Sequence, residues 1–194
     1  CPSKKTPDAF NEFTGPTTAI NIAFPQAIPK KAVINPEYCR QMTKGKCGVC
    51  AKVCPTGAIK YDMQDEVITE EVGCIVAATG YDLMDWTIYE QYGGGKYPDV
   101  ITSLQYERLL SASGPTEGHI KRPSDGKEPQ SVVFIQCVGS RDKSIGRPYC
   151  SGFCCMYTAK HAMLIRDKYP NTNVTVFYID VRTPGKNFDE FYRR

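Results

Sequence analysis

Long apolar stretches are missing from this sequence. No run approaches the ~20 residues needed to cross a bilayer, so no direct membrane insertion is expected. A strong net charge is missing too. The 24 Lys and Arg stand against 21 Asp and Glu, a net +3. That leaves no basic footprint for nucleic acid. No leader peptide opens the chain, and one upstream of residue 1 stays open. What the chain holds instead is cysteine, 10 of them in 194 residues. They fall into sets with ligand-like spacing rather than the even scatter of a disulfide scaffold. That points to a reducing cytoplasm. The length allows one or two domains, and the apolar content is ordinary for a globular protein.

The densest set runs from Cys39 to Pro55 and reads C-x7-C-x2-C-x3-C-P, through Cys39, Cys47, Cys50 and Cys54. Its second half is the tail of the bacterial ferredoxin run that wraps a [4Fe–4S] cube. Short loops of small residues let several thiolates converge on one cube. Gly48 lets the backbone come close without a Cβ clash, and Pro55 turns the chain away. A zinc site or a disulfide pair is the alternative. The C-P ending followed by Thr56, Gly57, Ala58 and Ile59 favours the cluster.

Cys1-Pro2 is a second C-P pair, so the chain is expected to open inside a cluster motif. In two-cluster ferredoxins the fourth cysteine of each run ligates the other cluster. Cys1 is then expected to share a cube with Cys39, Cys47 and Cys50. Cys54 is expected to serve a second cube whose other ligands lie upstream. A chance N-terminal thiol at Cys1 is the alternative.

Pro7, Pro16, Pro25, Pro29 and Pro36 oppose a long helix in residues 3–38. Thr18–Phe24, Lys31–Ile34 and Ala58–Tyr61 read as short strands of a small ferredoxin-like unit covering residues 1–62. Glu66–Val72 alternates, and Cys74–Ala78 is a short apolar run entering the turn Thr79-Gly80-Tyr81. Together they read as buried strand, with Cys74 as a small hydrophobe. A strand ending in A-T-G resembles the one that closes the first half of the FAD domain in flavoproteins of the thioredoxin-reductase type. The resemblance assigns residues 63–102 to the end of that half-domain, with Thr79 and Gly80 beside the flavin. Gly93-Gly94-Gly95 reads as a flexible break and Asp99–Thr102 as a short strand. Thr102 or Ser103 can cap a helix through Ser111. Residues 103–130 are then a linker with one short helix.

Val132–Ile135, a helix from about Ser151 to Lys168, and Val174–Ile179 form a βαβ pattern in residues 131–194. A nucleotide-binding unit would carry G-x-G-x-x-G after its first strand. That fingerprint is absent. In its place stand Cys137, Cys150, Cys154 and Cys155, spaced C-x12-C-x3-C-C. Cys137 ends a strand, where open α/β sheets hold ligands, and Cys154 and Cys155 start a helix. A fourth thiolate from the intervening loop completes the set for a further [4Fe–4S] cluster. A redox dithiol or a Cys154–Cys155 disulfide is the alternative.

Cys47-Gly48-Val49-Cys50, the A-T-G turn, Val100 to Leu104, Phe134 to Asp142 and Cys150 to Met156 together resemble the A subunit of heterodisulfide reductase, along essentially the whole chain. The resemblance implies a ferredoxin-like insert joined to a thioredoxin-reductase-like, Rossmann-like flavoprotein with two dinucleotide domains, an α/β plus α+β architecture. It implies FAD and several [4Fe–4S] clusters, and an internal fragment of a longer chain. It also implies an oxidoreductase of methanogenesis, with electron bifurcation as one mode. Its partners would be a hydrogenase or formate dehydrogenase as donor, ferredoxin, and other heterodisulfide reductase subunits that reduce the coenzyme M–coenzyme B disulfide. No residue of this chain is assigned a catalytic role. A plain ferredoxin-type carrier and a component of a quinone-interacting membrane-bound oxidoreductase are the competing readings.

Overall fold

Proline-rich sequence can form only brief ladders, because each proline removes a backbone donor. The first third of the computed structural model, which describes residues 1–194, has that character. β1 (Thr6–Pro7) pairs antiparallel with β2 (Pro16–Thr17), and β3 (Ile20–Asn21) with β4 (Val33–Ile34). The strands expected over Thr18–Phe24 and Lys31–Ile34 therefore form only at these cores. Helix α1 (Arg40–Lys44) and helix α2 (Val49–Val53) follow. Ala58–Tyr61, expected as a closing strand, has no strand to pair with and stays irregular.

The chain divides into unit 1, Cys1–Tyr81, and unit 2, Asp82–Arg194. The division falls neither at 62/63 nor at 130/131. Unit 1 buries only Thr6, Asn11 and Ala19. Its last part departs most from expectation. Residues 64–80 form neither helix nor strand, and Val67, Ile75 and Val76 are 96%, 83% and 84% exposed. A strand needs a neighbour to take its backbone hydrogen bonds, and this segment has none. Cys74, expected in a buried strand, is exposed.

Unit 2 has a true core. Helix α3 (Ser103–Leu110) starts with a capping box between Thr102 and Gln105. Strand β5 (Ser131–Ile135) and strand β6 (Asn173–Phe177) lie parallel, joined through helix α4 (Cys154–Lys168). The expected βαβ order is therefore present. Alternate residues Val132, Phe134 and Val174 face inward against Tyr106, Ile120 and Ile165. Ile120 is 3% exposed, so the stretch expected to be a linker in fact contributes to the core. A short helix, α5 (Phe188–Arg193), ends the chain.

Two further expectations change. Asp99–Thr102 is not a strand. Asp99 accepts hydrogen bonds from the Ser124 backbone and hydroxyl, at 2.9 and 2.7 Å, and Thr102 is spent capping α3. Gly93 and Gly94 are buried rather than a flexible break. A Cβ at Gly94 would strike the Trp86 ring, and one at Gly93 the Tyr97 ring. The glycines are there because the rings lie on the backbone.

Candidate metal centres

The first centre is built by backbone bonds within unit 1. Ala19 N–H donates to the Ser3 carbonyl at 3.1 Å, Asn35 N–H to Ala19 at 2.7 Å, and Cys39 N–H to Asn35 at 3.1 Å. These steps tie the N-terminal segment, through the β3–β4 hairpin, to the start of α1. As a result Cys1, Cys39, Cys47 and Cys50 line one pocket of about 300 Å³, its open mouth included. Ile20, Ile34 and Tyr61 supply an apolar wall. No three Cys, His, Asp or Glu side chains stand close enough to hold a single metal ion. Four soft donors around a cavity fit a polynuclear iron–sulfur group.

The local geometry explains the loop. Gly48 takes φ +68°, a conformation that favours glycine. The Gln41 side-chain oxygen accepts from Cys47 N–H at 2.9 Å and pins the turn between α1 and α2. Burial, and then the electrostatic influence of the nearby Cys50, Cys39 and Cys47, hold the Tyr61 phenol above its ordinary value. Sequence spacing alone pointed to neither Gln41 nor Tyr61, because neither belongs to a motif.

Cys54 does not line this pocket. It caps the C-terminus of α2, with its sulfur 3.5 Å from the Thr56 hydroxyl. That hydroxyl, with the backbone N–H groups of Ala58, Thr56 and Gly57, lowers the Cys54 thiol to about 7. Cys54 is thus more readily ionised than an ordinary thiol.

The second centre lies in unit 2. Two residues beyond β5, Cys137 takes φ +61°, which swings the chain out of the strand direction. The excursion that follows closes on itself. Asp142 and Arg147 exchange backbone bonds at 2.8 and 2.9 Å, and Arg141 N–H reaches the Tyr149 carbonyl at 2.8 Å. Asp142 also accepts the Tyr89 hydroxyl at 2.7 Å. This closed loop returns Cys150 to the end of the strand. Gly152 N–H donates to the Cys150 sulfur at 3.3 Å. Cys154 and Cys155 open α4, whose N-cap residue Phe153 supplies no side-chain cap.

Burial and the charges of Cys154, Cys155 and Cys150 push the Cys137 thiol above its ordinary value, against the pull of Arg141. Burial also pushes Cys155 up, with the Arg182 backbone N–H opposing. Mutual repulsion of this kind is relieved when a cationic centre binds the thiolates. All ten cysteines are free thiols, so Cys154 and Cys155 are not joined in a disulfide. Thr79 and Gly80 lie exposed in unit 1, and a Cβ at Gly80 would meet nothing within 4 Å.

Residues 45–60 match the 4Fe-4S binding domain family, a span that includes Cys47, Cys50 and Cys54. The whole chain aligns with larger proteins. It is 50% identical over 194 residues to the A subunit of the H(2):CoB-CoM heterodisulfide,ferredoxin reductase of Methanothermobacter marburgensis, covering 100% of this chain and 28% of that protein. It is 47% identical over 194 residues to the iron-sulfur A subunit of the CoB–CoM heterodisulfide reductase of Methanocaldococcus jannaschii, covering 100% and 29%. A protein of Archaeoglobus profundus, named as like the heterodisulfide reductase A subunit, is 42% identical over 233 residues, covering 100% and 33%. The chain thus spans about three tenths of the length of these relatives. No helix is long and apolar enough to cross a membrane.

Proposed function

From the premise that this chain is homologous, end to end, to a segment of the A subunit of heterodisulfide reductase, we propose that it carries electrons within an oxidoreductase of that type. One [4Fe–4S] cluster is held by Cys1, Cys39, Cys47 and Cys50. Another is held by Cys137, Cys150, Cys154 and Cys155. Cys54 serves a third. Such clusters supply one-electron transfer at potentials set by their surroundings. The chain's own residues fix the ligand thiolates, exclude solvent from one side and set the local charge. The observation that supports the proposal is the pocket lined by Cys1, Cys39, Cys47 and Cys50, with Cys137, Cys150, Cys154 and Cys155 as a second set in unit 2.

The finer reading follows the relatives. The Methanothermobacter marburgensis protein is named for the CoB-CoM heterodisulfide and for ferredoxin, and the Methanocaldococcus jannaschii protein for the CoB–CoM heterodisulfide. Electrons from a hydrogenase or formate dehydrogenase pass through a FAD to ferredoxin and to partner subunits that reduce that disulfide, with bifurcation at the flavin. The βαβ part of unit 2 belongs to a thioredoxin-reductase-like, Rossmann-like domain, and the A-T-G turn at Thr79-Gly80 borders the FAD. The unit does not use a nicotinamide nucleotide. The Met84 sulfur fills the space beside Gly139, where even a Cβ would overlap it, and the glycine fingerprint is absent.

The test is anaerobic purification of the holo-protein with its partner subunits, followed by flavin analysis and by electron delivery to ferredoxin and the heterodisulfide. Bound FAD and reduction of both acceptors are expected. A protein without flavin that only exchanges electrons with ferredoxin would leave a plain carrier. The crossed assignment has its own test. Cys1→Ala should disturb the cube of Cys39, Cys47 and Cys50, and Cys54→Ala should leave that cube intact.

A further inference from the structure

We infer that Arg141 sets the reduction potential of the second cluster, through a guanidinium that Asp180 fixes on the loop between Cys137 and Cys150. The inference rests on the reading that Cys137, Cys150, Cys154 and Cys155 hold that cluster.

The placement of Arg141 is built from several directions. Its backbone takes φ +57°, four residues after Cys137 takes φ +61°. Two left-handed residues so close together curl the loop back over the end of β5. Arg141 Nη1 donates to Asp180 Oδ1 at 2.6 Å, and its side chain is only 18% exposed. The Cys155 sulfur lies 3.9 Å from the Asp180 carbonyl oxygen, so the ion pair stands beside the cysteines that open α4. Asp180 follows β6, so the end of one strand grips the loop that leaves the other. Asp180 is not a simple neutraliser. Arg182 Nε reaches the same carboxylate oxygen at 3.3 Å, and Arg182 N–H reaches the Cys155 sulfur at 3.5 Å. Two guanidinium groups and one carboxylate leave one net positive charge beside the quartet.

Reduction of a [4Fe–4S] cluster adds one electron and no atoms. The cluster and its four thiolates gain one negative charge, supplied by a one-electron donor. A fixed cation beside the ligand sulfurs attracts the reduced state more than the oxidised one, which raises the potential. Arg141 is a positioning residue that acts on the cluster through its charge, held in place by Asp180. Its rigid planar fork suits the carboxylate, which a lysine matches less well.

The test uses anaerobic holo-protein carrying Arg141→Gln or Arg141→Lys, titrated stepwise with dithionite and read by EPR. The signal lost in Cys154→Ala marks the second cluster. The expected result is unchanged iron in both variants. The midpoint of that signal should fall in Arg141→Gln and return most of the way in Arg141→Lys, with every other midpoint unmoved. An unchanged midpoint in Arg141→Gln at full iron overturns the inference while the cluster reading stands. Loss of iron from Arg141→Gln but not Arg141→Lys also overturns it, since the arginine would then only scaffold the loop. A Cys154→Ala protein with unchanged iron and signals removes the cluster reading itself, and the inference with it.

Discussion

His161 on α4 donates from Nε2 to Glu107 on α3 at 2.5 Å, and its Nδ1 is buried without a partner. A bare lone pair at Nδ1 is tolerable there, whereas an unpaired N–H of an imidazolium is not. Burial accordingly holds His161 below the ordinary histidine value, against the pull of Glu107. Burial alone would raise Glu107, but hydrogen bonds from His161 and Lys160 outweigh it and leave the carboxyl below its ordinary value. Both shifts act in one direction. The unfolded chain binds more protons than the native state as pH falls below ~6.5, and again below ~4.3. Unit 2 should therefore hold full stability above ~6.5 and lose it progressively on acidification. Urea melts across that range, followed by Trp86 fluorescence, check this; a stability that rises on acidification would contradict it.

The same carboxylate predicts an asymmetry between its two donors, His161 and Lys160. Glu107→Ala strands a buried Nε2–H and should cost ~1–3 kcal/mol. Lys160→Ala removes a side chain that is 42% exposed and should cost under ~1 kcal/mol. Equal losses in the two melts would mean that the histidine contact is not the important one.

Gly94→Ala should destabilise unit 2 by ~1–3 kcal/mol, because the added methyl meets the Trp86 ring rather than open space. The emission of Trp86, the single tryptophan of the sequence, should shift as the ring is displaced. Gly73→Ala is the matched control, since a Cβ there meets nothing within 4 Å. If the two variants have the same melting point, the packing at Gly94 is not as described.

Unit 1 buries three residues, of which only Ala19 is apolar. So little core cannot offset the entropy of ordering some eighty residues. Its fold should therefore depend on the group that the cysteines hold, as in other small metal domains. Removal of iron with a chelator under reducing conditions should make the backbone amides around Cys39–Cys54 exchange freely with deuterium. The β5–β6 amides should stay protected. Persistent protection of the Cys39–Cys54 loop in iron-free protein would count against this.

The cysteine spacing is the clearest signal in the sequence, and residues 45–60 do match a 4Fe-4S binding domain. C-x2-C-x3-C-P and the substitution of cysteines for a glycine fingerprint are chemical signals, legible without coordinates. The βαβ order was legible as well, because Val132–Ile135 and Val174–Val176 are apolar runs flanking one long helix. What failed was local. Cys74–Ala78 has the composition of a buried strand, but a strand is a relation between two segments and no partner lies within this chain. Gly93-Gly94-Gly95 looks flexible until Trp86 and Tyr97 are seen lying on it. Ile120 sits among prolines and glycines, and only long-range packing against Tyr106 and Ile165 marks it as core. Gln41, Tyr61 and Arg141 act through contacts that leave no spacing to read.

The measurement that bears most directly on the account is an iron and acid-labile sulfide count on anaerobic holo-protein, wild type against Cys154→Ala and Cys47→Ala. Two independent quartets predict that each variant loses about four irons and four sulfides, with different EPR signals missing from the two. Unchanged iron in Cys154→Ala, or the same signal missing from both, would contradict it.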